Sequence, residues 1–228
     1  MKISLLIIAR NELRNIQLIY PLIVKQCKKY KIDFYFIDGN STDGTIDFFK
    51  NKKIKNFQQI YPGRGGAILS GLQLVKSDAF IIFSPDGNEN ILDLHKFVAY
   101  LKSGNDLVIA SRMMIGASNE EDIKFLKPRK WANNIFNLAV NIFFNHGDYI
   151  TDSINGFRAI TASALNKISL DAMDYTIEYQ MTIRCMKNKF KIYEFPTIEG
   201  QRKYGATGAP SFPTGLAFIK RFFIELGK

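Results

Sequence analysis

Hydrophobic and polar positions in the first half of the chain alternate between two periods. Ile3–Ala9 is a short unbroken apolar run, the pattern of a strand covered on both faces. Asn11–Lys29 then places Leu13, Ile16, Ile19, Ile23 and Cys27 at helical spacing, with Pro21 as a point of kinking. The alternation continues with strands at Phe34–Ile37, Phe57–Tyr61, Ala79–Ser84 and Asp106–Ser111, separated by helices at Thr45–Lys50, Gly65–Lys76 and Asn90–Lys102. This repetition predicts an α/β, Rossmann-like domain with a mostly parallel central sheet flanked by helices.

The second half is less regular. Trp131–Phe144 reads as a helix with Ile135, Leu138, Ala139, Ile142 and Phe143 on one side, a core face first and a part of a lipid-facing surface as the alternative. Gly156–Ile160 and Phe190–Ile198 read as strands, with a helix at Tyr175–Lys187 between them. A Gly/Pro-rich stretch from Gly205 to Pro213 precedes an amphipathic helix, Thr214–Leu226. The division expected is a main domain over residues 1–210 and a C-terminal helical extension over 211–228. The opening apolar run is too short for a secretory leader, and no uncharged stretch approaches the roughly 20 residues of a spanning helix.

Composition narrows the function classes. Apolar residues at 46% and charged residues at 23% describe a globular chain. The net charge of +10 favours acidic partners: phosphorylated substrates, nucleic acid or an anionic membrane face. Lys50, Lys52, Lys53 and Lys55 cluster, but no nucleic-acid signature accompanies them, so they read as a solvated loop. Cys27 and Cys185 have no redox or metal spacing and suit two buried thiols in a reducing, cytoplasmic setting. His95 and His146 are isolated and read as structural.

In an open parallel sheet, ligands bind beyond the carboxyl ends of the strands. The segments there are polar one after another: Arg10-Asn11-Glu12, Asp38 to Gly44, Gly63-Arg64-Gly65-Gly66, Pro85-Asp86-Gly87-Asn88 and Arg112. Carboxylates, amides and arginines converging on one edge suit a nucleoside diphosphate with a metal ion. The glycine-rich turn at 63–66 would let backbone approach an anion at a helix N-terminus. Neither a dinucleotide fingerprint nor a P-loop occurs, which argues against a dehydrogenase and excludes a P-loop enzyme.

These segments resemble the family-two glycosyltransferases. Ala9-Arg10-Asn11-Glu12 is similar to their A-Y-N-E, and Ile37 to Thr45 to V-D-D-G-S-T-D-G-T. Ser84-Pro85-Asp86-Gly87-Asn88 stands at the place of D-A-D-G-Q, and Val108–Arg112 at that of V-x-G-S-R. Asp152 to Arg158 resembles D-x-x-S-G-F-R; Glu194-Phe195-Pro196, followed by Arg202 and Gly205, resembles E-V-P and R-x-x-G. The last two point to the dolichyl-phosphate mannose synthase-like branch. The resemblance implies a GT-A fold and transfer of a sugar from a nucleoside-diphosphate sugar, with inversion. It places Ala9, Arg10, Glu12, Asp38 and Arg64 at the nucleotide. Asp86, with Asn88, would hold a divalent cation, Mg²⁺ or Mn²⁺. Ser84 stands where the first aspartate of D-x-D belongs, Gly39 where the second of D-D does, and Arg10 replaces the tyrosine. One carboxylate implies weak cation binding without donor.

For the acceptor, the resemblance implies a polyprenyl phosphate clamped by Arg112, Arg129, Arg158, Arg202 and Lys203, with Lys130 nearby. Asp86, Arg112 and Arg158 are the expected catalytic set. The alternatives are a hydroxyl acceptor with a base from Asp171, Asp174 or Glu178, and a degenerate subunit that only binds nucleotide sugar. Between Arg184 and Lys228 there are nine Lys/Arg against three Asp/Glu. With the basic amphipathic tail, this suggests peripheral contact with a membrane face. A second copy of the chain or a membrane protein is the further partner expected, and nucleic acid is not.

Overall fold

The computed structural model describes residues 1–122, 128–205 and 211–228. The expected boundary at 210/211 and residues 206–208 of the glycine-rich stretch abut or fall in a segment outside the described residues. Among the described residues, seven strands form one sheet: β1 (Ile3–Ala9), β2 (Asp33–Asp38), β3 (Asn56–Gln58), β4 (Ala79–Phe83), β5 (Leu107–Ser111), β6 (Arg158–Thr161) and β7 (Ile192–Pro196). Their spatial order is β3-β2-β1-β4-β6-β5-β7.

Register decides where the chemistry falls. Ala9 lies opposite Asp38, and Ile7 opposite Phe83. The residues that follow β1, β2 and β4 therefore emerge on one edge. β6 is antiparallel to both β4 and β5, with Arg158 opposite Ile82 and Ile109. The turn that leads into β6 is consequently delivered to that same edge.

Helices cover both faces. Leu5 and Ile7 join one core with Ile16 and Ile23 of α1 (Leu13–Tyr30), Phe49 of α2 (Thr45–Asn51) and Phe97 of α4 (Leu94–Lys102). Leu6 and Ile8 point the other way. They meet Ile68 of α3 (Gly63–Leu74), Val140 of α5 (Pro128–Phe143), Ile183 of α7 (Ile177–Lys187) and Phe218 of α8 (Ser211–Leu226). Burial on both faces explains the unbroken apolar runs of β1, β4 and β5. The third strand is shorter than its sequence pattern suggests, and α6 (Ala162–Leu165), one turn after β6, carries too few residues to show a period.

The fifth helix corrects the sequence reading. Asn137, Val140 and Phe144 are buried, whereas Trp131, Ile135, Leu138 and Ile142, the regular apolar stripe, are exposed; Ile135 is 68% accessible. The tail helix α8 packs against it through Phe136–Phe218 and Phe143–Phe222 ring contacts. It too leaves Leu216, Ile219 and Phe223 exposed. Two neighbouring helices thus present one apolar surface outward.

What holds α8 down is ionic. Glu225 is 1% exposed and accepts from Arg184 Nε at 3.0 Å and Nη2 at 2.9 Å, and from Gln180 Nε2 at 2.9 Å. Asp171 accepts from Arg221 at 2.6 Å and Lys228 at 2.7 Å. Burial works against both carboxylates. Hydrogen bonds from Lys228, Gln180, Arg221 and Arg184 outweigh it at Asp171, and those from Arg184 and Gln180 at Glu225, so both titrate below their ordinary values. A folded value below the unfolded one contributes stability above about pH 4 and loses it as pH falls through the folded value. Glu225→Ala should cost about 2 kcal/mol at neutral pH in urea unfolding, because Arg184 keeps its ion pair with Asp171 but loses both hydrogen bonds to Glu225. The difference from wild type should shrink in acid.

Candidate active site

A cleft of about 930 Å³ opens along the strand-end edge and is lined by Ala9, Arg10, Glu12, Gly39, Arg64, Ser84, Asp86, Asn88, Arg112, Arg129 and Arg202, among others. The structure thus brings together most of the residues expected from sequence. Asp38 closes β2, is 1% exposed and is not among the residues that line the cleft. Its Oδ2 accepts from Ser41 N at 2.9 Å, while its buried Oδ1 has no partner. Such an orphan is costly unless a ligand completes it.

Two departures from the family pattern are coupled here. A Cβ built on Gly39 would lie 2.9 Å from Cβ of Arg10, whose side chain crosses the glycine. The arginine therefore occupies the room that a side chain at 39 would need.

Asp86 sits in the loop after β4. Its Oδ2 accepts from Arg202 Nη2 at 2.8 Å, and the same guanidinium reaches Glu12 Oε1 at 3.1 Å. Arg202 thus straddles two carboxylates. Asn88 donates from Nδ2 to Glu120 at 3.2 Å and leaves a buried Oδ1 without a partner beside Asp86. Among the described residues no three His, Cys, Asp or Glu side chains converge to form a metal cage.

Arg64 is fixed from two sides. Its Nε and Nη2 lie 3.0 and 2.9 Å from Glu178 Oε1, and Nη1 lies 3.1 Å from Ser84 Oγ. Burial opposes its charge, but Glu178 and Glu89 raise its pKa further. The glycine-rich turn before it does not cradle a ligand as expected. Gly65 N and Gly66 N donate to Met173 O at 3.0 and 3.3 Å, and a Cβ on Gly65 would meet Ala172 O at 2.2 Å. Its glycines serve close backbone packing.

On the acceptor side the arginines differ. Arg112 reaches the cleft, but its Nε and Nη2 donate to Asp152 at 2.8 and 2.9 Å, and Nη1 lies 3.5 Å from Glu199. Burial is overcome by these carboxylates, which drive its pKa up. Arg129 pairs with Glu120 at 3.6 Å. Lys130 pairs with Asp122. Lys203 is exposed; its backbone N donates to Asp86 O at 3.2 Å and its side chain lies against Gly87.

Arg158 is the clear correction. It is 0% exposed, and its guanidinium donates to the carbonyls of Asn155 at 2.7 Å, Glu178 at 2.6 Å and Ser153 at 3.1 Å, and to Thr182 Oγ1 at 2.7 Å. Burial brings its pKa down to about 10. It braces the turn before β6 against the start of α7 and does not meet an acceptor.

Glu89, also in the cleft wall, was not singled out by the sequence. Burial, then the negative charge of Asp86, pushes its carboxyl up to about 8, against the pull of Arg64 and Ser84 N. The only local signal was an acid shortly after a position that lacks one.

The seven-stranded sheet and the cleft at its strand ends are those of the GT-A fold. Residues 4–168 match Glycosyl transferase family 2, and the chain belongs to that family. It is 28% identical over 213 residues to an uncharacterized protein of Methanocaldococcus jannaschii, covering 89% of this chain and 84% of that one. To the polyprenol monophosphomannose synthase of Mycolicibacterium smegmatis it is 25% identical over 218 residues, covering 86% and 77%. Several other relatives are longer, and the chain spans little more than half of them. In structure it resembles glucosyl-3-phosphoglycerate synthase from Mycobacterium tuberculosis, crystallised with Mn²⁺, UDP and phosphoglyceric acid. The TM-score is 0.75 at 16% identity, covering 99% of this chain and 78% of that one. The protein is therefore a glycosyltransferase of the GT-A fold, with relatives named for polyprenyl-phosphate acceptors.

Arg158→Ala removes the donors to three buried carbonyls. It should destabilise the fold by about 3–5 kcal/mol in denaturant unfolding. A stability change within about 0.5 kcal/mol, the range of neutral surface substitutions, would refute the bracing role.

Proposed function

We propose that this protein transfers a sugar, with inversion at the anomeric carbon, from a nucleoside-diphosphate sugar to a polyprenyl phosphate at a membrane surface. The observation that carries this reading is the shared use of two helices. Arg129, Ala132 and Phe136 of α5 and Phe212, Gly215 and Phe218 of α8 form one wall of the cleft. The same helices expose Trp131, Ile135, Leu138, Ile142, Leu216, Ile219 and Phe223. An acceptor with a phosphate head and a long hydrocarbon tail matches both surfaces: head among Arg129 and Arg202, tail along the apolar face. No helix among the described residues is long and apolar enough to cross a membrane.

The donor end has its own fit. Ala9, Arg10 and Glu12 line one end of the cleft and suit the base and ribose of the donor, with Asp38 in register beside Ala9. Asp86 and the unpartnered Asn88 Oδ1 offer hard oxygen donors, which fit Mg²⁺ or Mn²⁺. A cation there supplies charge neutralisation for the departing diphosphate.

An acceptor phosphate oxygen bonds to the anomeric carbon as that carbon's bond to the diphosphate breaks, and the electron pair leaves with the nucleotide. A phosphate monoester has its second pKa near 6 and needs no base. A hydroxyl acceptor does need one. The carboxylates considered for that task are committed: Asp171 to the tail helix, Asp174 to Thr176, and Glu178 to Arg64.

With UDP-, GDP- and dTDP-sugars and Mg²⁺ or Mn²⁺, purified protein should glycosylate polyprenyl phosphate and not the matching polyprenol. Transfer to the alcohol alone, or no transfer from any donor, would sink the reading. Asp86→Ala should lower turnover by about 10²-fold or more while the circular dichroism spectrum stays that of the folded protein.

Charges placed on the outward helices test the membrane side separately. Ile135→Glu combined with Phe223→Glu should cut co-sedimentation with anionic vesicles at least about tenfold, given the burial of two large side chains. Undiminished sedimentation would remove this face from membrane contact.

A further inference from the structure

Position 84 is serine where the resemblance leads one to expect an acid, and another carboxylate reaches that position. Glu89 folds back along its own loop, and its Oε2 accepts from Ser84 N at 2.7 Å. Its Oε1 lies 3.2 Å from where a Cβ on Gly156 would stand, and Arg64 Nη2 lies 2.5 Å from the same point. A side chain at 156 would push both groups aside. The carboxylate of Glu89 is thereby held in the cleft wall next to Ser84 and within electrostatic reach of Asp86.

We propose that Glu89 supplies the second carboxylate of the cation site, in place of the side chain that Ser84 lacks. The inference rests on the cation site at Asp86 and Asn88 proposed above. Local charge supports it. Arg64 is satisfied by Glu178, and Arg202 is shared between Glu12 and Asp86. Four carboxylates, Glu12, Asp86, Glu89 and Glu178, thus share two guanidinium groups. Charges so enclosed are stable only when paired. Ser84 still has a use, since its hydroxyl holds Arg64, so the acid has moved along the loop while its former position anchors a cation.

The discriminating measurement is Mn²⁺ affinity in the presence of UDP, followed by electron paramagnetic resonance, which needs no turnover. Glu89→Gln is isosteric and keeps an oxygen for Ser84 N–H, so a purely structural brace survives it. The substitution should weaken Mn²⁺ binding about tenfold or more. Ser84→Asp introduced into Glu89→Gln should restore most of the loss. Unchanged affinity in Glu89→Gln, or a loss that Ser84→Asp does not recover, overturns the proposal. Asp86→Asn separates the two readings: it should abolish Mn²⁺ binding whatever Glu89 does. If Asp86→Asn leaves Mn²⁺ bound, the cation site itself is misplaced and both readings fall.

Discussion

A charge enclosed by protein needs a partner, and this requirement organises the cleft. Arg64 faces Glu178, Arg112 faces Asp152 and Glu199, and Arg202 spans Glu12 and Asp86. Desolvation makes an unpaired member of any such set expensive. Binding of an anionic ligand is then an exchange of partners and not a simple addition. Arg202 ties together segments far apart in the chain, since its carboxylates follow β1 and β4 while it follows β7 itself. The unpartnered oxygen of Asn88 is the opposite case. A ligand group arriving there gains a hydrogen bond or coordination without breaking one.

The sheet supplies the geometry that makes such an exchange local. Three parallel strands end level, and an antiparallel strand between β4 and β5 returns the chain to the same edge. Residues far apart in sequence therefore meet across one opening. The helices that wall this opening also carry the exposed apolar face, so a charged head and a greasy tail can be served by one pair of elements.

The sequence announced the parallel strands and the loops that follow them, since a doubly covered strand and a polar strand end are local patterns. What it concealed depends on distant partners. Arg158 lies in a motif that invites a ligand role, yet its acceptors are carbonyls from the preceding turn and from α7, which no local pattern reveals. The periodicity of α5 announced an apolar stripe but not which side the domain would cover; the less regular Asn137, Val140 and Phe144 went inside. The glycines at 63–66 looked like an anion cradle because glycine marks close approach without saying to what. Here the approach is to the backbone of residues 172 and 173.

The antiparallel strand also has a consequence for biogenesis. β4 pairs with β6, which is made much later, and β5 pairs with β7, later still. Until then β4 offers a bare hydrogen-bonding rim, the kind of rim that recruits unwanted strands. The end of the cleft made from β1, β2 and β4 can be assembled early on the ribosome, whereas the wall contributed by α8 is the last described element to be made.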